Sequence, residues 1–233
     1  MINKKPKAII LLSGGLDSVV SLALSRDKFD FCYALTFDYG QKSFKKEKEA
    51  SEKIAKHYNI PRHEFIKLDW LKNITNTSLV SEDKVPDIEQ NSLDNLSVTK
   101  ESMKNVWVPN RNGVFINIAA AYADSFKIDY IVIGANKEEA ATFSDNSEQF
   151  IIDTNEALES SVNYDVKVLA PLINMDKNEI VKKAIELGVP LQYINSCYNA
   201  TQKHCGRCES CSRLKRALNN AGAEDLIQDL FED

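Results

Sequence analysis

The chain has 233 residues, 43% hydrophobic and 27% charged, with a formal net charge of −5. That length suits one large domain, or a domain with an appendage, and is enough to bury a sizeable core. No apolar run approaches the roughly 20 residues of a membrane span. The acidic balance argues against nonspecific nucleic-acid binding as the main task.

The first residues, MINKKPKAIILLSGG, are basic and then apolar. They lack a small-residue cleavage site and lead into a glycine loop, so they do not read as a signal peptide. A cytoplasmic protein without membrane contact is expected. AIILL over residues 8–12 is a continuous apolar run, the pattern of a strand buried on both faces. A helix is expected from 17 to about 25, with Leu16, Val19, Val20, Leu22 and Ala23 on its apolar side. FDFCYALTF over 29–37 reads as a second strand, and 43–58 as an exposed helix with charge pairs. Residues 62–68 read as a third strand. This alternation predicts a parallel, doubly wound α/β sheet of about five strands.

The polar stretch 80–105 reads as a long surface loop, a lid or an interface arm. WVPNRNG and a strong helix through FINIAAAYADSF follow. DYIVIG over 129–134 reads as a buried strand ending at Gly134. A helix at 147–161, a strand at 167–170 and a helix at 177–187 complete the sheet domain, with Gly188 and Pro190 as stop signals. The candidate boundary lies near residue 190. It divides an α/β domain, 1–190, from a cysteine-bearing tail, 191–233, packed on it.

Two segments carry chemistry. The first is SGGLDS, residues 13–18, between the first strand and the first helix. A loop at that edge offers backbone N–H groups and a helix N-terminus to an anion. Gly14 and Gly15 let the backbone approach closely, and Ser13 and Ser18 add hydroxyls. Asp17 beside an anion calls for a cation, and Mg²⁺ would serve. The loop has neither the Gly-Lys-Ser/Thr ending of a nucleotide P-loop nor the G-x-G-x-x-G of dinucleotide folds. SGGLDS resembles the PP-loop of ATP pyrophosphatases, which hold the β,γ-pyrophosphate of ATP and cut between the α and β phosphates. The plain alternative is a capped Gly-Gly turn.

The second segment is Cys197-x7-Cys205-x2-Cys208-x2-Cys211. Four of the five cysteines lie within fifteen residues. Such clustering in a cytosolic chain points to a closed structural Zn²⁺ site before a disulfide pair or buried thiols. An iron–sulfur cluster is the rival. Cys32, in the second strand, reads as a core residue. Among the three histidines, His57 in the exposed helix and His204 in the knuckle read as structural.

Together with FDYGQK and VPNRNG, these motifs make the chain, from about residue 8 to residue 220, resemble the 7-cyano-7-deazaguanine synthase family. The resemblance implies an adenine-nucleotide α-hydrolase-type fold and an ATP-dependent ligase. The family activates 7-carboxy-7-deazaguanine as an acyl-adenylate, lets ammonia form the amide, then adenylates the amide to reach the nitrile. It also implies a homodimer that does not bind nucleic acid directly.

On that resemblance Leu11, Leu12, Ser13, Gly14, Gly15, Leu16, Asp17 and Ser18 form the nucleotide loop. Thr36, Phe37, Tyr39, Gln41 and Gly134 lie by the adenosine. Asp17, Lys177 and Arg111 are the catalytic candidates, since a cation must steady the phosphates and an arginine can grip a carboxylate. Lys177 at the start of a helix is otherwise misplaced against the helix dipole. Asn110, Arg111, Asn112, Glu138, Glu139, Phe143 and Asp145 are the candidates for the deazaguanine: carboxylates accept its N–H donors and a ring stacks on it.

Two departures from the family pattern stand out. Lys42-Ser43 follows Gln41 where Arg-His is usual, and GANKEEAATFSDN stands where many bacterial members have Gly-Tyr-Pro-Asp-Cys-Arg. The second raises the possibility of a reaction that stops at the amide. The competing readings are a PP-loop tRNA thiolase, a relative that attaches a deazaguanine to another acceptor, and a non-enzymatic zinc or nucleic-acid-binding module.

Overall fold

The structure, a computed structural model, describes residues 4–232. Five strands form one sheet: β1 (Lys7–Leu11), β2 (Asp30–Asp38), β3 (His63–Lys67), β4 (Tyr130–Val132) and β5 (Lys167–Leu169). Their order is β3-β2-β1-β4-β5, and every pair is parallel. The chain runs outward from β1 to β3, then crosses back to β4. The order therefore reverses between β1 and β4, and ligands of open α/β sheets bind at the carboxyl ends of the strands at such a reversal.

β1 shows why the sheet needs cover on both faces. Ala8, Ile10 and Leu12 enter one apolar cluster, and Ile9 and Leu11 enter the other, all five buried. Each large apolar side chain removed from water in this way stabilises the fold by about 1.5–3 kcal/mol. One face is covered by α1 (Leu16–Ser25), α2 (Phe44–His57), α8 (Lys177–Glu186) and the tail helix α9 (Glu209–Asn220). The other is covered by α5 (Arg111–Phe126) and α7 (Glu148–Ser161), with the short α3 (Asp69–Ile74) at one end. The expected strands and helices are present, with ends shifted by a residue or two except at the start of α5, which lies four residues earlier than Phe115. α5 begins at Arg111, so Asn110 is its cap rather than part of a free loop; it takes φ +49.

The reading of 80–105 as a structureless surface loop is wrong. It contains a 3-10 turn at Gln90–Ser92 and the helix α4 (Leu96–Val106). Few of its residues are apolar, but Val85, Ile88 and Leu93 are buried. Its order comes from partners far away in sequence. Ile88 N–H donates to Arg207 O at 2.8 Å, Ser212 Oγ donates to Ile88 O at 2.6 Å, and Ser102 Oγ donates to Glu209 at 2.6 Å.

The tail continues through α9 to α10 (Glu224–Leu230). Leu214, Ala217, Leu218, Leu230, Phe231 and the four clustered cysteines share one apolar cluster with α1 and α8. α9 carries the basic residues Arg213, Lys215 and Arg216, and α10 carries the acidic Glu224, Asp225 and Asp229. His57 is exposed; His204 is buried, as is fitting for structural histidines. Cys32 is half-buried, and its thiol donates to Ala8 O at 3.5 Å.

Candidate active site

A cleft of about 210 Å³ opens at the carboxyl edge where the strand order reverses. β1 delivers the 13–18 loop to it. Gly15 N–H donates to Ser13 Oγ at 3.2 Å, and Ser18 Oγ donates to Gly15 O at 3.0 Å. Gly14 has φ +79, and a Cβ there would stand 2.7 Å from Ala50 Cβ and 2.8 Å from Ser51 N. Both facts require glycine: the left-handed backbone disfavours a side chain, and α2 packs directly on the loop. Across the reversal, a Cβ on Gly134 would stand 2.8 Å from Ser18 N, so β4 presses on the first turn of α1.

α8 delivers Lys177. A capping box, Asp176 with Glu179, fixes the start of that helix and aims its first residue inward. Lys177 is 6% exposed, and its Nζ lies 3.0 and 2.8 Å from the two oxygens of Asp17 and 3.6 Å from Glu139. Burial pushes the Asp17 carboxyl up to about 6, with Glu139 and Glu138 adding to the rise and Lys177 opposing it. Burial works against the Lys177 charge, but Asp17 and then Glu139 outweigh it, and the ammonium is held above its usual range. The misfit of a lysine in a first helical turn thus has a local cause: a carboxylate partner one loop away.

Arg111 opens α5. Its guanidinium has one hydrogen-bond partner, the Tyr39 hydroxyl at 3.5 Å. Burial opposes its charge, and Tyr39 and Asp145 more than compensate, so it stays cationic. Asp145 holds the same helix start: it accepts Asn112 N–H at 3.2 Å, and its backbone carbonyl accepts from Asn112 Nδ2 at 2.9 Å.

The β2 corner is tied from within. Gln41 accepts Tyr39 N–H at 3.0 Å and donates to Phe37 O and Glu47 Oε2, both at 2.9 Å. Thr36 Oγ1 donates to Leu12 O and lies 2.8 Å from His63 Nε2. The Phe37 ring stacks on Phe115 with centroids 4.0 Å apart, leaving an apolar, flat wall. Glu47 reaches the cleft from α2, and burial raises its carboxyl despite hydrogen bonds from Ser43 and Gln41.

Leu11, Leu12, Ser13, Gly15, Leu16, Asp17, Ser18, Phe37, Tyr39, Arg111, Asn112, Gly134 and Glu139 line this cleft. Gly14, Thr36, Gln41 and Asp145 stand behind the wall and hold it through these contacts, whereas Asn110 is exposed at the cap of α5. Glu138, Phe143 and Lys177 line a separate pocket of about 10 Å³, which shares Glu139, Tyr198 and Ser210 with the main cleft; Lys177 reaches the main cleft through its contacts with Asp17 and Glu139. Glu138 is already committed: it accepts Lys177 N–H at 2.8 Å and pairs with Arg213. Phe143 stacks with Trp107 at 6.0 Å. Sequence reasoning missed Glu47, Ser43, Asn195, Ser196, Tyr198 and Ser210 as cleft residues. The SCY triplet beside the metal motif was the one available signal, and it read as metal chemistry alone.

The four cysteine sulfurs, Cys197, Cys205, Cys208 and Cys211, all lie within 4.8 Å of one another and are buried. None is in a disulfide. Backbone N–H groups of Asn199, Cys205 and Cys208 donate to the sulfurs at 3.4, 3.5 and 3.4 Å, as suits thiolates that hold a metal ion. The cluster can hold one.

The SGGLDS loop, which resembles the PP-loop of ATP pyrophosphatases, stands at the reversal of an open parallel sheet with a lysine facing it, and that places the fold with the PP-loop class. The fold agrees with the solved U34-tRNA thiolase NcsA from Methanococcus maripaludis, which carries a [4Fe-4S] cluster. The match covers 97% of this chain and 74% of that one at TM-score 0.50, with 16% identity. Within the class, the family described as queuosine biosynthesis protein QueC matches residues 7–222. The chain belongs to the QueC family. It is 50% identical to the 7-cyano-7-deazaguanine synthase of Methanosarcina mazei, over 95% of this chain and 97% of that one. It is 52% identical to the enzyme of the same name from Carboxydothermus hydrogenoformans, over 91% and 97%.

Proposed function

We propose that this protein is a 7-cyano-7-deazaguanine synthase, a C–N ligase that converts 7-carboxy-7-deazaguanine and ammonia to the nitrile at the expense of two ATP. The near-full-length identity to enzymes of that name carries this reading. In the first half, a carboxylate oxygen of the substrate attacks the α-phosphorus of ATP and pyrophosphate leaves. Ammonia then attacks the acyl carbon, a C–N bond forms, and AMP departs with the oxygen. In the second half, the amide oxygen attacks the α-phosphorus of a second ATP and pyrophosphate leaves; loss of both amide N–H protons and of AMP, which carries the oxygen away, leaves the C≡N group. The substrate is its own nucleophile, so positioning and charge stabilisation are the main tasks of the protein.

The 13–18 loop and the first turn of α1 take the pyrophosphate. Lys177, paired with Asp17 in this structure, is the cation for the α-phosphate, and Asp17 would then hold a Mg²⁺ ion, which would offset the phosphate charge. Phe37, Tyr39, Leu11, Leu12 and Gly134 flank the adenosine, while Thr36 and Gln41 hold that corner. Arg111 and Asn112 face the substrate carboxylate. Glu139 would accept the N–H groups of the deazaguanine: among the described residues Lys177, 3.6 Å away, is its one charged partner, and no hydrogen bond occupies its carboxylate. Glu138, Phe143 and Asp145 shape that wall from behind, and Asn110 caps the helix that carries Arg111 and Asn112.

The four cysteines would hold Zn²⁺. Tetrahedral Zn–S bonds of about 2.3 Å set sulfurs about 3.8 Å apart, and Cys205 and Cys211 are 3.9 Å apart. An iron–sulfur cube puts several atoms between its thiolates and needs more room than the 4.8 Å limit allows. With four ligands and no open position, the ion holds the tail folded. A homodimer in the cytoplasm, where ATP and reduced thiols coexist, completes the reading.

The test mixes protein, ATP, Mg²⁺, ammonium and 7-carboxy-7-deazaguanine, with AMP followed by chromatography and the base by mass spectrometry. AMP with the nitrile mass is the expected result. The amide mass alone would mean that the 134–150 segment truncates the reaction. Absence of substrate-dependent AMP from folded, metal-loaded protein would overturn the reading.

A further inference from the structure

The stretch leading into the cysteine knuckle runs against the phosphate loop. Asn195 N–H donates to Gly14 O at 2.8 Å. Ser196 Oγ accepts Leu16 N–H, the first backbone donor of α1, at 3.2 Å. Ser196 N–H donates to His204 Nε2 at 2.9 Å, and His204 Nδ1 lies 3.1 Å from Leu230 O. With Nε2 accepting, the ring proton sits on Nδ1 and goes to that carbonyl. Cys197, a ligand of the knuckle, is the next residue. Asn195, Ser196 and Cys197 all line the cleft. The Asn195 side-chain nitrogen is buried and has no hydrogen-bond partner.

We propose that Asn195 and Ser196 are phosphate-binding residues of the ATP site, carried there by the metal-bound tail. Their ligand is the pyrophosphate end of a nucleoside triphosphate. A hydroxyl that accepts from Leu16 N–H keeps its own proton and can donate it to an anion above the helix N-terminus. An unpartnered buried amide is costly to keep, and a turn of the Asn195 side chain toward the cleft that its residue lines would give that nitrogen a phosphate oxygen to donate to. His204 fixes Ser196 from behind, and the Gly14 contact fixes Asn195, so the metal knuckle sets where both donors stand. The tail then acts as the second wall of the phosphate site as well as a structural cap.

This inference rests on the ATP-dependent reading, and its test keeps the two apart. Calorimetric titrations of the full, metal-loaded chain use α,β-methylene-ATP with Mg²⁺, inorganic pyrophosphate, and AMP. The variants are Ser196→Ala, Ser196→Thr and Asn195→Leu, each with metal content measured. Ser196→Ala and Asn195→Leu are expected to weaken the triphosphate analogue and pyrophosphate by about tenfold or more, the usual effect of losing a hydrogen bond to a charged group. AMP affinity should move less than threefold, metal content should stay at the wild-type value, and Ser196→Thr should recover most of the loss. Affinities within twofold of wild type in both variants would overturn the proposal. So would a loss of metal in step with a loss of affinity, which would make the residues purely structural. A wild-type protein that binds neither probe would overturn the ATP reading itself, and this inference with it.

Discussion

Gly134→Ala puts the geometry of the phosphate loop to a sharp test. The new Cβ would stand 2.8 Å from Ser18 N, 3.0 Å from Asp17 C and 3.1 Å from Ser18 Cα, all backbone atoms of the first turn of α1. No flexible side chain can swing aside, so either β4 or α1 must retreat by about 0.6 Å to restore an ordinary contact. Overpacking of this kind costs roughly 1–3 kcal/mol in stability. The functional cost should be larger, because the atom approached is one of the N–H groups offered to phosphate. Displacements approaching 1 Å cost on the order of 10²-fold in well-aligned sites, so nucleotide affinity should fall at least tenfold. Gly15→Ala is the control for the fold. Its backbone is not left-handed, and its Cβ would meet nothing nearer than Ser13 Oγ at 3.4 Å. Urea unfolding should show Gly15→Ala close to wild type and Gly134→Ala destabilised, and titration with α,β-methylene-ATP should show the affinity loss in Gly134→Ala. A Gly134→Ala protein that binds the analogue like wild type would refute the claim that α1 and β4 meet at the phosphate.

Other expectations follow from the same contacts. Lys177→Met should lower the rate of AMP formation by on the order of 10²-fold. It should also destabilise the chain by roughly 3–5 kcal/mol, as breaking a buried pair does. Adding Asp17→Asn should recover part of that stability by removing the stranded carboxylate, which denaturant titrations of both variants will show. Burial depresses His63 to about 4, below its usual 6.5. The unfolded chain therefore binds more protons between those values, and stability falls as pH drops from about 6.5 to 4. His63→Gln should flatten that part of the urea-midpoint profile; an unchanged slope would acquit His63. Cys208→Ser should lose the bound metal and expose the tail from residue 195 onward to protease, and nucleotide affinity should fall with it. Metal analysis and limited proteolysis check each half.

Reading the sequence worked where order is local and failed where it is not. AIILL could only be a strand covered on both faces, and SGGLDS and the four cysteines carry their chemistry in their spacing. The segment 80–105 was hidden because its apolar residues are sparse and its order comes from afar: Arg207 and Ser212 hold Ile88, and Glu209 holds Ser102 of α4, more than a hundred positions away. Glu47 was hidden for the opposite reason. It sits in FKKEKEASEK, where every other charge faces water, and only the fold shows that this one turns inward. The base-facing residues were half legible. The run NKEEA placed carboxylates near the site, but period and spacing could not say that Glu138 belongs to Arg213 and Lys177 N–H while Glu139 keeps only the looser 3.6 Å contact with Lys177 Nζ.

The charges of the cleft explain why its two cations were separately visible and why neither works alone. Lys177 is held by Asp17, and Glu139 stands 3.6 Å from the same nitrogen. The resting site is therefore self-compensated, and a triphosphate cannot take Lys177 without releasing Asp17 beside another carboxylate. A carboxyl already pushed up to about 6 by burial resists standing there as an uncompensated anion. On the proposed reading a divalent cation resolves the conflict, because it arrives with the phosphates and takes the carboxylate that the lysine leaves. Arg111 faces no such exchange. Among the described residues its one hydrogen bond is the long contact to Tyr39. On the same proposed reading it would meet a second anion, the substrate carboxylate, without giving up a partner: the paired cation would serve the ligand that brings its own counter-charge, and the nearly free one the ligand that does not.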